Sequence, residues 1–411
     1  MRRLPVILLV LVSLAVTACQ SPVARRPDGP LILISIDGFR WDYLQQYDVP
    51  TLRALAASGV HAKRMTPCFP TATFPSHYTL VTGLYPEHHG IVSNIFFDTA
   101  LGARFVSKSA ESAGDSRWWE GGEPIWITAE KQGVRSACVF WPGSEAAIHG
   151  VRPSLFKNFD NQLTCLQRVE NLLGWLERPP GDRPKFGVLY FNNVDVTGHS
   201  FGPDAPETAA AVHEADTAIA RLLEGLAQLG LRESANLVIV SDHGMEPVSI
   251  DRTLVVEDYL EPGTFEMDFA GPVAGLRPKP GTTAEELANR LRGRHPQLNV
   301  WLRQEVPARL HYRASDRITP VVVLANPGWE LSNREWIRTH RLTFERGSHG
   351  YDPATPNMGA LFIAHGPAFR QYVTIDDVES IHVYDLLCAA LGITPAPNDG
   401  DQSLARLALR R

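Results

Sequence analysis

Hydrophobic residues in this chain cluster in unbroken runs rather than alternating with polar ones. Leu31-Ile32-Leu33-Ile34-Ser35-Ile36 is such a run, and Phe186 to Phe191 and Leu237 to Val240 repeat it, with Leu361 to Ala364 a shorter case. A continuous branched run of this length suits a strand buried on both faces, as in a parallel sheet covered by helices. Between the runs lie stretches with helical character: Val49 to Ser58, Leu163 to Leu176, Thr208 to Leu229 and Val383 to Leu391. Buried strands alternating with helices predict an α/β fold with a mostly parallel sheet.

Residues 246–345 break this rhythm. They are rich in proline and glycine, with a helix predicted near Thr283 to Gly293 and strands at Asn299–Arg303 and Pro320–Leu324. This pattern predicts a smaller α+β lobe inserted into a catalytic core formed by residues 31–245 and 346–405. The start of the chain follows a different logic. Arg2 and Arg3 precede an apolar stretch from Leu4 to Val16, which ends in Val16-Thr17-Ala18-Cys19. That layout is a secretory signal over residues 1–18, with an apolar part short for spanning a bilayer. The small residues before Cys19 resemble a bacterial lipobox. Cys19 is therefore expected to carry lipid, with residues 19–30 as a Pro- and Arg-rich tether. Gln20 gives no inner-membrane retention signal, so the expected address is the periplasm, as an outer-membrane lipoprotein.

The net charge of −6 becomes more negative once Arg2 and Arg3 leave with the signal. A protein that coats nucleic acid usually carries a basic footprint, which is missing here. An anionic small-molecule substrate stays compatible, because bound cations can outweigh net charge locally. Cys68, Cys138, Cys165 and Cys388 follow the lipobox cysteine without any close Cys/His spacing, so a thiolate zinc site is not expected. Two disulfides, one or none all fit.

The chemistry lies where the strands end. The first run ends at Asp37-Gly38, the second leads through Asn192-Asn193 into Asp195-Val196-Thr197-Gly198-His199, and the third ends at Asp242-His243-Gly244. Open α/β sheets bind ligands outside the carboxyl ends of their strands. Any one of these Asp residues can be a turn or cap. Three at one edge would repel each other unless cations sat between them. Asp195 and His199 are four apart, on one face of a helical turn, and His349 in Gly347-Ser348-His349-Gly350 offers a further ligand. Phe69-Pro70-Thr71-Ala72-Thr73-Phe74-Pro75-Ser76-His77 precedes a helix-like stretch. A hydroxyl there can cap the helix, or act as a metal-activated nucleophile facing a phosphate. Thr71, Thr73 and Ser76 all remain open on this pattern.

From Ile36-Asp37-Gly38-Phe39-Arg40 to Gly347-Ser348-His349-Gly350-Tyr351-Asp352, the chain resembles the nucleotide pyrophosphatase/phosphodiesterase family of the alkaline phosphatase superfamily. The resemblance implies an alkaline-phosphatase-like fold and two Zn2+ ions. It makes Thr73 the nucleophile and groups Asp37, Thr73, Asp242 and His243 around one zinc, with Asp195, His199 and His349 around the other. Asn94 matches a residue that hydrogen-bonds a non-bridging phosphate oxygen, and Phe74 and Tyr190 match aromatic positions that hold a base or other leaving group. Trp141-Pro142-Gly143-Ser144-Glu145 is a further family-like stretch, while Phe159 stands where some relatives carry a binding tyrosine. The implied reaction is hydrolysis of phosphodiester or pyrophosphate bonds of nucleotides through a phospho-threonine. Two cations about 4 Å apart would steady the attacking and leaving oxygens. The expected partner is a small phosphodiester substrate, with membrane contact only through lipid at Cys19. Phosphomonoesterase activity in the same superfamily is the nearest rival, but no motif adds the further positive charge such enzymes recruit. Sulfatase chemistry lacks its arginine after Cys68-Phe69-Pro70, a phosphate-transfer enzyme acting on the envelope is conceivable, and a non-catalytic metal- or phosphate-binding lipoprotein is the reading from another class.

Overall fold

The computed structural model describes residues 29–410. The leader, Cys19 with its expected lipid, and the tether up to residue 28 lie outside the described residues. Eight strands form the main sheet, in the order Val373–Ile375, Val60–Ala62, Phe362–His365, Asn236–Val240, Leu31–Ile36, Phe186–Phe191, Ser136–Val139 and Leu155–Lys157. The three long apolar runs lie side by side and parallel at its centre. Every residue of all three is buried, which is why no polar alternation marks them. Phe362–His365 is antiparallel to both its neighbours. A run buried on both faces carries no record of its direction, so this reversal could not be read from the residues. The sheet is mostly parallel, as expected.

Two groups of helices flank it. Pro50–Ser58 and Cys165–Leu176 each pack on Pro206–Gln228, and Val383–Leu391 packs with Thr73–Thr82 and Ile125–Lys131. Thr164 opens its helix with a capping box completed by Gln167, which satisfies backbone donors that the first turn leaves free.

Within 246–345 lies a separate antiparallel sheet of Phe265–Phe269, Val273–Pro278, Val321–Ala325 and Leu298–Leu302. The helix Ala284–Leu291 accompanies it, capped by Thr283 and Glu286. Val321–Ala325 shows how this sheet is joined to the rest. Val321, Val323 and Ala325 pack into a local core with Leu287 and Leu291, whereas Val322 and Leu324 belong to the main core. Alternate residues of a strand point to opposite faces, so this strand is buried on both. Sequence reasoning found two of these four strands. Phe265–Phe269 escaped because Glu266 and Asp268 interrupt its apolar positions, and Val273–Pro278 because Gly275, Arg277 and Pro278 do. Among the described residues, the four cysteines are buried and unpaired, so none forms a disulfide.

Candidate active site

Strand register is what assembles the site. Ser35 lies opposite Tyr190 on one side and Val240 on the other, so three central strands end level. The chain continues straight into Asp37 from the first, Asp242 and His243 from the third, and the helix Asn193–Phe201 from the second. The Asp37 N–H still donates to the Phe191 carbonyl at 2.8 Å. Gly38 then turns at φ +71°, and a Cβ there would meet the Asp195 Cα at 2.9 Å. This glycine therefore serves the turn and the close approach of two carboxylate loops together.

Asp37, Asp195, Asp242, His199, His243 and His349 all converge here. The ligand atoms of Asp195, His199 and His349 lie within 4.8 Å of one another, as do those of Asp37, Asp195 and His243. His243 Nε2 is 2.9 Å from Asp242 Oδ2 and 3.5 Å from Asp37 Oδ1. Asp195 Oδ1 is 3.4 Å from His199 Nε2 and 3.6 Å from His349 Nε2. The rings of His243 and His349 stack at 3.7 Å.

Two observations show that this donor set fits metal ions. Asp37 Oδ1, Asp195 Oδ1 and Asp242 Oδ2 are buried without any hydrogen-bond partner, a costly arrangement for carboxylates unless something else compensates them. Each imidazole is also turned the same way. Nδ1 lies 2.8 Å from the Gly347 carbonyl in His199, 2.9 Å from that of Gly244 in His243, and 2.9 Å from that of Thr71 in His349. A carbonyl can only accept, so each Nδ1 carries a proton and each Nε2 is the atom turned to the cluster, where it can offer a lone pair to an ion.

The electrostatics of the bare cluster show the charge that an ion would supply: against burial, Asp195 holds His199 well above the ordinary imidazole range and Asp242 holds His243 above it. Burial, then the charges of Asp242 and Asp195, hold Asp37 well above the usual carboxylate range. Burial also opposes charge on Asp195, but its imidazole neighbours, His199 first, outweigh it and bring the group to about 2. Burial drives His349 down to about 3, reinforced by His243. Neighbouring groups with opposed preferences form a set that divalent charge would reconcile.

The structure separates the three hydroxyls. Thr71 Oγ1 donates to the Tyr351 carbonyl and accepts from Gly350 N–H, so it braces the His349 loop. Ser76 is fully buried beside Cys68. Thr73 opens the helix Thr73–Thr82, and its Oγ1 lies 3.4 Å from His243 Nε2. Phe74 N–H donates to Asn94 Oδ1 at 2.9 Å. That bond orients the amide and leaves its NH2 free to donate to an anion beside Thr73.

A model of the family described as type I phosphodiesterase / nucleotide pyrophosphatase matches residues 31–352. The chain belongs to the type I phosphodiesterase/nucleotide pyrophosphatase family. It is 40% identical over 93% of its length to a venom phosphodiesterase of Crotalus durissus collilineatus, covering 46% of that protein. An uncharacterised pyrophosphatase/phosphodiesterase of Schizosaccharomyces pombe is 39% identical, with 93% of this chain and 80% of that one aligned. The chain spans about half the length of the venom relative, although it covers most of the yeast one. Murine ectonucleotide pyrophosphatase/phosphodiesterase 5 superposes at a TM-score of 0.87 and 36% identity, over 92% of this chain and 100% of that one.

Two aromatic residues assigned through the family resemblance sit at the rim. Phe74 is half-buried and packs against Phe105 and Trp119. Tyr190 is 8% exposed, and its hydroxyl donates to Asp37 Oδ2 at 2.5 Å. Its polar end is thus committed to orienting a carboxylate. His77 lies within the Thr73 motif, where the sequence alone gives it no role. Its Nδ1 lies 2.8 Å from the Thr73 carbonyl and 3.2 Å from Asp242 Oδ2, while Nε2 meets Ser35 Oγ at 2.8 Å. It holds the Thr73 turn and lies against the Asp242 carboxylate. The spacing Thr73 to His77, one helical turn, was the available signal. Glu345 Oε2, 3.2 Å from His199 Nδ1, was also missed, and nothing in its local sequence marks it.

Proposed function

We propose that this chain is a zinc-dependent phosphodiesterase/nucleotide pyrophosphatase that hydrolyses phosphodiester or pyrophosphate bonds of nucleotides through a covalent phospho-threonine at Thr73. The observation that carries this reading is the position of Thr73 Oγ1, at a helix start, 3.4 Å from a histidine whose Nε2 faces buried carboxylate oxygens without partners. A solved murine relative 35% identical to this chain is described as an inactive threonine-to-alanine variant in complex with AMP, which supports both the nucleophile and the substrate class.

In this reading Asp37, Thr73, Asp242 and His243 hold one zinc, and Asp195, His199 and His349 the other. When bound, the two ions supply Lewis-acid charge that favours the threonine alkoxide and the departing oxygen. Thr73 Oγ1, its proton passed to solvent, forms a bond to phosphorus as the bond to the leaving oxygen breaks, and water then displaces the threonine oxygen, which releases the remaining phosphate ester and restores the hydroxyl. Asn94 donates its amide N–H to a non-bridging oxygen, where negative charge grows. The backbone at the helix start adds a favourable dipole for the anion. We read 246–345 as a lobe inserted in the catalytic core. We also infer export to the periplasm with a lipid anchor at Cys19, on the pattern of residues 1–19.

The test compares zinc-loaded wild type and Thr73→Ala on bis-p-nitrophenyl phosphate and p-nitrophenyl phosphate. Wild type should prefer the diester, and Thr73→Ala should lose on the order of a millionfold in kcat, as nucleophile removal does in other covalent hydrolases. The reverse preference would favour a monoesterase. No turnover of either ester with zinc present would favour a binding protein.

A further inference from the structure

Arg168 is buried to 2% exposure, yet both its hydrogen bonds go to neutral carbonyls. Nε donates to Leu163 at 2.9 Å and Nη1 to Tyr190 at 2.8 Å. These carbonyls belong to two separate structures, the loop that carries Phe159 and the strand whose Tyr190 hydroxyl orients Asp37. The guanidinium also lies over two rings, 5.0 Å from the centroid of Phe140 and 5.8 Å from that of Phe159. Those rings meet edge to face at 5.3 Å.

Phe140 reaches this cluster at φ +61°. A bulky residue in the left-handed region is strained, so packing there must compensate for the backbone. Phe159, by contrast, is 49% exposed, and its ring centre is 6.3 Å from that of Tyr190. A large ring pinned on one side and open to solvent on the other, next to the reaction centre, is arranged to receive a flat partner.

We propose that Arg168 is a positioning residue for substrate recognition: it locks Phe159 and the Tyr190 strand end into one aromatic wall that receives the base of a nucleotide substrate. This rests on the diesterase reading above. Its two donors bridge the loop and the strand, and its planar cation holds the Phe159 ring from behind. Lysine could neither fork to two carbonyls nor lie flat on the rings. The wall discriminates among diesters and does not touch the phosphate, so its loss acts on KM for base-bearing substrates.

The experiment compares zinc-loaded wild type, Arg168→Met, Arg168→Lys, Phe159→Leu and the Arg168→Met/Phe159→Leu pair. The substrates are p-nitrophenyl thymidine 5′-phosphate and methyl p-nitrophenyl phosphate, which share a leaving group and differ in the base. Arg168→Met should lower the kcat/KM ratio of thymidine ester to methyl ester by about five- to tenfold, through KM, the scale of one cation–π and aromatic contact. Arg168→Lys should not restore the ratio, and the double variant should fall no lower than Phe159→Leu alone. A ratio equal to wild type, or independent losses that multiply in the double variant, overturns the proposal. If Arg168→Met does not fold, Phe140→Leu decides in its place: the ratio should fall in the same direction, and an unchanged ratio overturns the proposal. Failure of wild type to turn over either ester would instead sink the diesterase reading.

Discussion

Buried charge is handled in two opposite ways in this molecule. At the carboxyl edge of the main sheet, three carboxylate oxygens are buried without a hydrogen bond and face imidazole Nε2 atoms. At the seam between the hairpin Ile95–Asp98/Ala103–Val106 and residues 246–345, buried acids are closed by the protein itself. Asp268, with its side chain fully buried, is gripped by Arg277 and Arg104. Asp98 accepts from Arg317 Nε at 2.7 Å, and the same guanidinium donates to the carbonyls of Gly90 and Trp118. Histidines divide likewise. His89 accepts from Ile91 N–H at Nδ1, which leaves Nε2 to donate to Thr79 Oγ1, so both nitrogens are used within the protein. His349 Nε2 makes no hydrogen bond, and His243 Nε2 faces Thr73 Oγ1 and the carboxylates. Burial alone therefore does not mark a functional group, nor does a single unpartnered atom such as Arg277 Nε; several buried carboxylates left incomplete together do.

The largest effect should come from the incomplete side. Asp37→Asn removes a charge that its surroundings disfavour in the absence of metal. It should cost on the order of a thousandfold in kcat/KM, because it withdraws charge from the reaction centre. The zinc content after dialysis should fall with it. In chelated protein, however, Asp37→Asn should unfold at the same temperature as wild type or above it. A variant that loses stability without metal while keeping its metal content would erase that contrast.

The seam predicts the reverse. Asp268→Ala leaves two guanidinium groups facing a site with no acid. It should destabilise the protein by about 3 kcal/mol, the scale for breaking a buried ion pair. Activity per folded molecule should hold within a few-fold, because Asp268 lies outside the metal cluster. Urea midpoints and active-site titration measure the two quantities separately. A large loss of kcat with an unchanged midpoint would show that the seam is coupled to the chemistry.

Part of this contrast was legible in the residues. Apolar runs ending in Asp37, Asp242 and the Asp195–His199 turn announced both the sheet and its edge, because burial on two faces and ligand spacing leave local traces. The choice among Thr71, Thr73 and Ser76 left no such trace. It depends on Thr71 reaching the backbone of Gly350 and Tyr351, some 280 positions away. The carbonyls that fix the imidazole tautomers are backbone atoms, which no side-chain pattern records. The guanidinium of Arg168 reads as an ordinary helix residue until Leu163 and Tyr190 are seen to share it. Strand direction was equally hidden, since Phe362–His365 is apolar whichever way it runs.

His89 gives the smallest and cleanest test, because its surroundings belong wholly to the self-sufficient side. Burial brings its pKa down from an ordinary 6.5 to about 3. Between those values the unfolded chain holds a proton on this imidazole and the native protein does not. Stability from His89 is therefore complete above pH 6.5 and is lost as pH falls toward 3. The slope is about 1.4 kcal/mol per pH unit, one proton's worth. Gln in its place keeps a donor and an acceptor but does not titrate, so the His89→Gln variant should lose less stability than wild type between pH 6 and about 4. Subtracting the two pH profiles removes the shared contribution of the metal-site histidines. Parallel profiles would mean that His89 is protonated in the folded protein, and the seam would then hold an incomplete group after all.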